Sequence, residues 1–177
     1  MSAKIYLTGP ESTGKTTLAK SLSQALGGPW VPEFARTYLS RLSRPYRKSD
    51  LLEIAKAQAN WEDGAKAYNN APVICDTGML VLKVWSEYKY GDCNPWILKR
   101  LQQQRGHLHL LCAPDIPWTD DPMRENPADR EALFKQYKDL LHSLDFRYEI
   151  ITGSTPEARL EKALEAARSW GVIPANG

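Results

Sequence analysis

Residues 9–16 read Gly9-Pro10-Glu11-Ser12-Thr13-Gly14-Lys15-Thr16, a complete G-x-x-x-x-G-K-[ST] pattern. Residue types in this spacing suit the cradling of a phosphate chain. The glycines let the backbone curl so that successive N–H groups and a helix N-terminus face the anion, and Lys15 brings a mobile positive charge to the β and γ oxygens. Thr16 offers a hydroxyl to Mg2+. The expectation is a nucleotide, ATP or GTP, held by Gly9, Glu11, Ser12, Thr13, Gly14, Lys15, Thr16 and Thr17.

A phosphate loop identifies the nucleotide and leaves its use open, so polar residues that follow the other apolar runs carry the next step. Asp76, after Val73-Ile74-Cys75, stands where a carboxylate would hold Mg2+ or its water shell. Thr77 follows it where a hydrolytic motor usually has glutamate, and no N-K-x-D guanine signature occurs in the chain. Both features weigh against a motor or a switch GTPase. Arg124 and Arg130 flank a loop-to-helix junction in a proline-punctuated segment and are expected to serve as lid cations. Such cations stabilise the equatorial oxygens of a transferring phosphoryl group while closure excludes water. The bland alternative is a pair of surface arginines bound to Glu125 or Asp129. Glu33, after Pro32, is placed to take the proton from an acceptor hydroxyl or else to pair with Arg36. Gln58 interrupts an apolar stripe and needs a partner, in the core or on a ligand. Gly153-Ser154 follows the last apolar run and joins the nucleotide candidates.

The elements that must position these residues are short apolar runs alternating with helical periodicity, the α/β signature. Strands are predicted at Ile5–Thr8, Trp30–Val31, Val73–Cys75, Leu108–Cys112 and Tyr148–Thr152. A helix after the phosphate loop carries Leu18, Leu22, Ala25 and Leu26 inward and ends at Gly27-Gly28. A longer one, capped by Ser49, carries Leu51, Ile54, Trp61, Ala65 and Tyr68. Val81, Val84, Trp85 and Tyr88 mark a third by their spacing, and a fourth follows Asn94-Pro95. The next has Asn126 as cap and Pro127 first, with Leu133, Tyr137, Leu140, Leu141 and Leu144 inward, and the last runs from near Pro156 to Gly171. Right-handed crossovers wind these into an α/β P-loop NTPase fold: a five-stranded parallel sheet, helices on both faces and a lid over about 114–130.

The chain's 177 residues fit one domain, 1–177, able to bury a core without disulfides. A net charge of +2 gives no field for nucleic acid or an anionic membrane, so the expected partner is a small molecule. No apolar run reaches membrane-span length and the first residues lack a secretory h-region, so the expected location is cytoplasmic. Cys75, Cys93 and Cys112 are odd in number and lack C-x-x-C spacing, which argues against a disulfide framework or a zinc site. His107, His109 and His142 have no partner at ligand spacing and read as structural. Arg44-Pro45-Tyr46-Arg47-Lys48 reads as a solvated loop. Six tryptophans are many for this length, as core or as stacking surfaces. Nothing in the sequence indicates an oligomeric state.

Taken together, these residues resemble the ribosylnicotinamide kinase domain of NadR-type NAD-biosynthesis proteins. The segments that carry the resemblance are Gly9-Pro10-Glu11-Ser12-Thr13-Gly14-Lys15-Thr16-Thr17-Leu18-Ala19, Val31-Pro32-Glu33-Phe34-Ala35-Arg36-Thr37-Tyr38-Leu39, Cys75-Asp76-Thr77 and Pro117-Trp118-Thr119-Asp120-Asp121. The resemblance implies a nucleoside-kinase-like fold, ATP and Mg2+, and transfer of the γ-phosphate to the 5′-hydroxyl of nicotinamide riboside. It implies that Glu33 and Arg36 lie in the nucleoside pocket, with Asp76 near the metal and the acceptor hydroxyl and Trp118 or an aromatic such as Tyr88 beside the base; Gln58 and Asp121 join them as substrate candidates. Gly78 stands where the family often has a second acidic residue, and Pro122 where it has glycine in the lid. The DNA-binding and adenylyl-transfer domains of full NadR proteins have no room in this length, so neither activity is expected. The alternatives left open are another nucleoside or nucleotide acceptor, or a regulatory ATP-binding module.

Overall fold

The apolar runs become the parallel strands β1 (Lys4–Thr8), β2 (Trp30–Val31), β3 (Val73–Asp76), β4 (Leu108–Cys112) and β5 (Arg147–Ile151) of one sheet, ordered β2-β3-β1-β4-β5. This is a computed structural model, and it describes residues 3–65 and 70–175. The helices are α1 (Lys15–Leu26), α2 (Phe34–Leu39), α3 (Lys48–Gly64), α4 (Met79–Tyr90), α5 (Pro95–Gln103), α6 (Arg130–Ser143) and α7 (Pro156–Ser169). Among the described residues no helix is long and apolar enough to cross a membrane.

Period-two alternation on β1 divides the core. Ile5 and Leu7 pack with Leu18, Ala19 and Leu22 of α1 and Ala163, Ala166 and Ala167 of α7, whereas Tyr6 joins Val31, Val73 and Cys75 on other contacts. The larger cluster gathers α2 to α6, from Leu51 and Ile54 through Met79, Leu80 and Ile97 to Tyr137 and Leu141. The chain leaves β1 toward β2 and leaves β3 toward β4, so β1 and β3 are neighbours whose connections part in opposite directions. In open α/β sheets that switch point is where a ligand crevice forms. Register pairs Leu7 with Asp76, so the phosphate loop and the carboxylate leave the sheet side by side.

Local chemistry sets the helix limits. Gly27, at φ 66°, ends α1, Asn94 accepts from the Trp96 N–H at 2.9 Å to start α5, and Thr155 accepts from the Ala158 N–H at 3.2 Å to start α7. Two expected caps are replaced. Ser49 lies inside α3, which starts one residue earlier because the Asp50 carboxylate accepts from the Arg47 N–H at 2.6 Å. Asn126-Pro127 belongs to a turn, and α6 begins at Arg130 with Asp129 in the cap position. The buried stripe of α3 runs through Leu51, Ile54, Ala55, Gln58, Ala59 and Glu62. Trp61 is therefore at its edge, 38% exposed, meeting Phe34 edge-on at 4.8 Å, and Tyr68 lies outside the described residues.

A carboxylate thus faces the interior. Glu62 accepts from the Tyr6 hydroxyl and from Gln104 Nε2, each at 3.1 Å, and Gln104 Oε1 accepts from the Met79 N–H at the start of α4, also at 3.1 Å. Burial pushes the Glu62 carboxyl up to about 7. Beside this network a Cβ on Gly78 would lie 2.6 Å from Tyr6 Cδ1, so the residue after Thr77 has no room for an acidic side chain.

Candidate active site

The phosphate loop leaves β1 at Thr8. Gly9 turns it at φ 128°, where a side chain would come within 2.8 Å of the Cys112 carbonyl, and Gly14 enters α1 at φ 75°. Gly9 needs glycine on both space and dihedral grounds, and Gly14 on its dihedral. The Thr13 hydroxyl donates to the Pro10 carbonyl at 2.9 Å, and Lys15 Nζ donates to the Gly9 and Pro10 carbonyls at 2.9 and 2.5 Å. The ammonium therefore sits on the mouth of its own loop, where an incoming phosphate would replace carbonyls as its partner.

Sequence reasoning missed Arg159, which fastens this loop. Its side chain is 4% exposed and donates to the carbonyls of Thr13 at 2.8 Å, Gly153 at 2.8 Å and Ala113 at 2.9 Å, and to the Asp115 carboxylate. Asp115 also accepts from the Gly153 N–H at 2.8 Å. Gly153 thus braces the loop from behind and does not line the cleft. The signal available was an arginine four residues before the buried Ala163 on α7.

Asp76, at the end of β3, is 1% exposed, and its Oδ2 accepts from the Thr16 hydroxyl at 2.6 Å while Oδ1 has no partner. Burial raises its pKa, opposed by the Thr16 hydrogen bond and then by Lys15 and Arg36. A hydroxyl and a buried carboxylate with one oxygen unpaired form a hard oxygen donor set that fits Mg2+, an ion that completes its shell with water and phosphate oxygens. Among the described residues no group of three or more His, Cys, Asp or Glu could hold a metal ion.

From the loop a cavity of about 410 Å3 extends past Glu33 and Arg36 to Tyr46, Trp85 and Tyr88. Glu33 precedes α2, and its carboxyl is raised by burial, with Lys15 opposing and Asp76 reinforcing. Arg36 lies 3.7 Å from Glu33 and donates to Asp121 at 2.8 Å, which ties the lid side of the cleft to α2. Gln58 takes the core option: its Oε1 accepts from the Phe34 N–H at 2.8 Å, so it holds the start of α2 and not the cleft wall. Trp118 also falls outside the lining; its indole donates to Asp120 at 2.8 Å, and the guanidinium groups of Arg124 and Arg130 lie 5.9 and 5.7 Å from its ring. The tryptophan that does line the cleft is Trp85, together with the half-exposed Tyr88, whose hydroxyl donates to Asp129.

Over the loop lies the segment expected as a lid. Arg124 Nη1 is 3.3 Å from the Ser12 hydroxyl, which also accepts from the Thr119 N–H at 2.9 Å, and Arg130 donates to the carbonyls of Ser12 and Ile116, each at 3.0 Å. Of the two, Arg124 lines the cleft, whereas Arg130 is held on the loop and lid carbonyls outside that lining. The Glu11 carboxylate accepts from the Glu125 and Asn126 N–H groups at 3.1 Å, which fastens the lid to the phosphate loop.

A glycine-lined loop running from β1 into α1, with a carboxylate on the adjacent strand, defines a P-loop nucleotide-binding protein with the P-loop kinase fold. The chain belongs to the AAA domain family, whose pattern matches residues 4–159. No curated protein matches it in sequence. Among solved structures it is similar to NadR protein in complex with NR, at a TM-score of 0.78 and 20% identity over 99% of this chain and 52% of that one. NadR in complex with NAD and AMP-PNP matches at 0.75 and 20%, over 99% and 51%. The chain therefore spans about half the length of these structures. Shikimate kinase from Aquifex aeolicus vf5 matches at 0.59 and 16%, over 96% and 98%.

Proposed function

We propose that the chain is an ATP-dependent phosphotransferase that phosphorylates the 5′-hydroxyl of nicotinamide riboside, giving nicotinamide mononucleotide in the cytoplasm from a single domain. The observation that carries this reading is one continuous cleft joining the phosphate loop to an aromatic wall of Tyr46, Trp85 and Tyr88, with Glu33 between them. An aromatic face suits a cationic pyridinium ring. The NadR fold neighbours were solved with NR and with AMP-PNP, which supports both halves of the reading.

Chemically, Glu33 accepts the proton of the acceptor hydroxyl as its oxygen bonds to the γ-phosphorus, and the bond to the β–γ bridging oxygen breaks to release ADP. Glu33 lines the cleft beyond the phosphate loop while Asp76 is bonded to Thr16 on the metal side, which favours Glu33 as the base. Lys15 and Arg124 meet the charge that develops on the transferring group. Mg2+, held through Thr16 and Asp76, would neutralise the β and γ oxygens. Purified protein incubated with Mg-ATP and a nucleoside panel, followed for ADP and product mass, tests the reading. Tight ATP binding without product from nicotinamide riboside rejects that acceptor, and no product from any member rejects the kinase.

A further inference from the structure

Glu125 of the lid is gripped from both sides of the cleft. Its backbone N–H donates to the Glu11 carboxylate of the phosphate loop at 3.1 Å, while its own carboxylate accepts from the Tyr46 hydroxyl at 2.9 Å. That hydroxyl is also the acceptor for Trp85 Nε1 at 2.9 Å and Lys89 Nζ at 2.5 Å, so its donor and both lone pairs are engaged. The Tyr46 and Trp85 rings meet edge-on at 5.1 Å, with the Lys89 ammonium 4.0 Å from the Tyr46 ring centre.

The loop that carries Tyr46 is itself anchored. Asp50, 3% exposed, accepts from both terminal nitrogens of Arg44 at 2.7 and 2.9 Å, from the Arg47 N–H at 2.6 Å and from the Tyr38 hydroxyl at 2.8 Å. Tyr46 is thus a fixed post to which the indole of the wall and the carboxylate of the lid both attach. The nearby Lys89–Glu125 ion pair, at 3.3 Å and partly exposed, adds little alone, since such pairs are weak in water.

We propose that Tyr46 is a positioning residue that ties the acceptor wall to the lid, so that a ring-bearing acceptor and a nucleoside triphosphate bind with positive cooperativity. The proposal rests on the reading of the cleft as a two-substrate kinase site. A ring lying against Trp85 and Tyr46 shields the Tyr46–Glu125 hydrogen bond from water and so strengthens it, which keeps the lid N–H groups on Glu11 and Arg124 beside Ser12. Nucleotide then binds a lid already ordered, and by linkage it favours the acceptor by the same factor.

The test uses the full chain with Mg2+ and a fluorescent ATP analogue chased by excess ATP, comparing Tyr46→Phe, Glu125→Ala and the double variant with wild type. Each single change is expected to speed release about five-fold or more, and the double variant should release no faster than the faster single one. Phenylalanine keeps the ring, so a role in packing alone would leave release unmoved. In a second arm, nicotinamide riboside tightens AMP-PNP binding to wild type and does so much less for Tyr46→Phe. Release from Tyr46→Phe at the wild-type rate, or single effects that multiply in the double variant, overturns the proposal. If nicotinamide riboside fails to bind wild type, the acceptor assignment falls while the release measurements still decide the Tyr46–Glu125 tie.

Discussion

Arg159 of α7 donates to the carbonyl of Thr13 inside the phosphate loop at 2.8 Å, joining residues 146 positions apart. The same guanidinium serves the ends of β4 and β5, so the loop's shape depends on the far end of the chain. Arg159→Ala would leave the carbonyls of Thr13, Ala113 and Gly153 and the Asp115 carboxylate without their donor. Carbonyls left without a donor cost about 1–3 kcal/mol each, so a loss of about 3 kcal/mol or more is expected in urea denaturation. Arg159→Lys keeps the charge without the fork and should fall between.

Lys15→Ala removes the mobile cation from the loop mouth. Charge-assisted bonds of this kind contribute about 1.5–3 kcal/mol each, so AMP-PNP affinity should fall about 100-fold or more by calorimetry. Unchanged affinity would remove the nucleotide assignment.

Glu33→Gln is expected to lower kcat by about 100-fold or more while AMP-PNP affinity stays within a few-fold. The carboxyl is raised by burial, so its basic form is lost as pH falls through a value above the ordinary carboxylate range. The acid limb of kcat should therefore lie above that range in wild type and disappear in the variant. A limb that persists in Glu33→Gln assigns the base elsewhere.

Glu62 makes stability depend on pH. Its carboxyl rises from 4.5 to about 7 on folding, so the folded state favours the proton. That stabilisation is complete below pH 4.5 and is lost as pH rises through 7. Glu62→Gln should remove the dependence, gaining on wild type by up to about 3 kcal/mol between pH 5 and 8 in denaturant titrations. Parallel curves for the two proteins would refute the shift.

The parts of the site that were legible in the sequence are contiguous. Gly9 to Thr16 builds its cradle from consecutive residues, and Asp76 follows its apolar run directly, so spacing alone exposed both. Trp118 or Tyr88 is the expected ring partner and Trp85 only marks a helix, yet Trp85 lines the cleft beside Tyr88, because a stripe of apolar residues looks the same whether it faces a core or an apolar cavity. Tyr46 read as solvated because its partners, Trp85 and Glu125, are 39 and 79 residues away. Glu62 and Arg159 escaped for the related reason that a buried charge is defined by contacts between remote elements. Helix starts moved where a side chain competed for the first N–H groups, as Asp50 does at α3.

The Leu7–Asp76 register has a consequence for how such a site changes over time. Loop and carboxylate are spaced by the backbone ladder of β1 and β3, which substitutions on the surrounding helices leave alone. The aromatic wall, by contrast, stands on α4 and on the connection between α2 and α3, where Tyr46 is joined to Trp85 and Glu125 by side-chain hydrogen bonds. A lineage can therefore exchange one phosphate acceptor for another by rewriting the wall while the phosphate machinery stays in place.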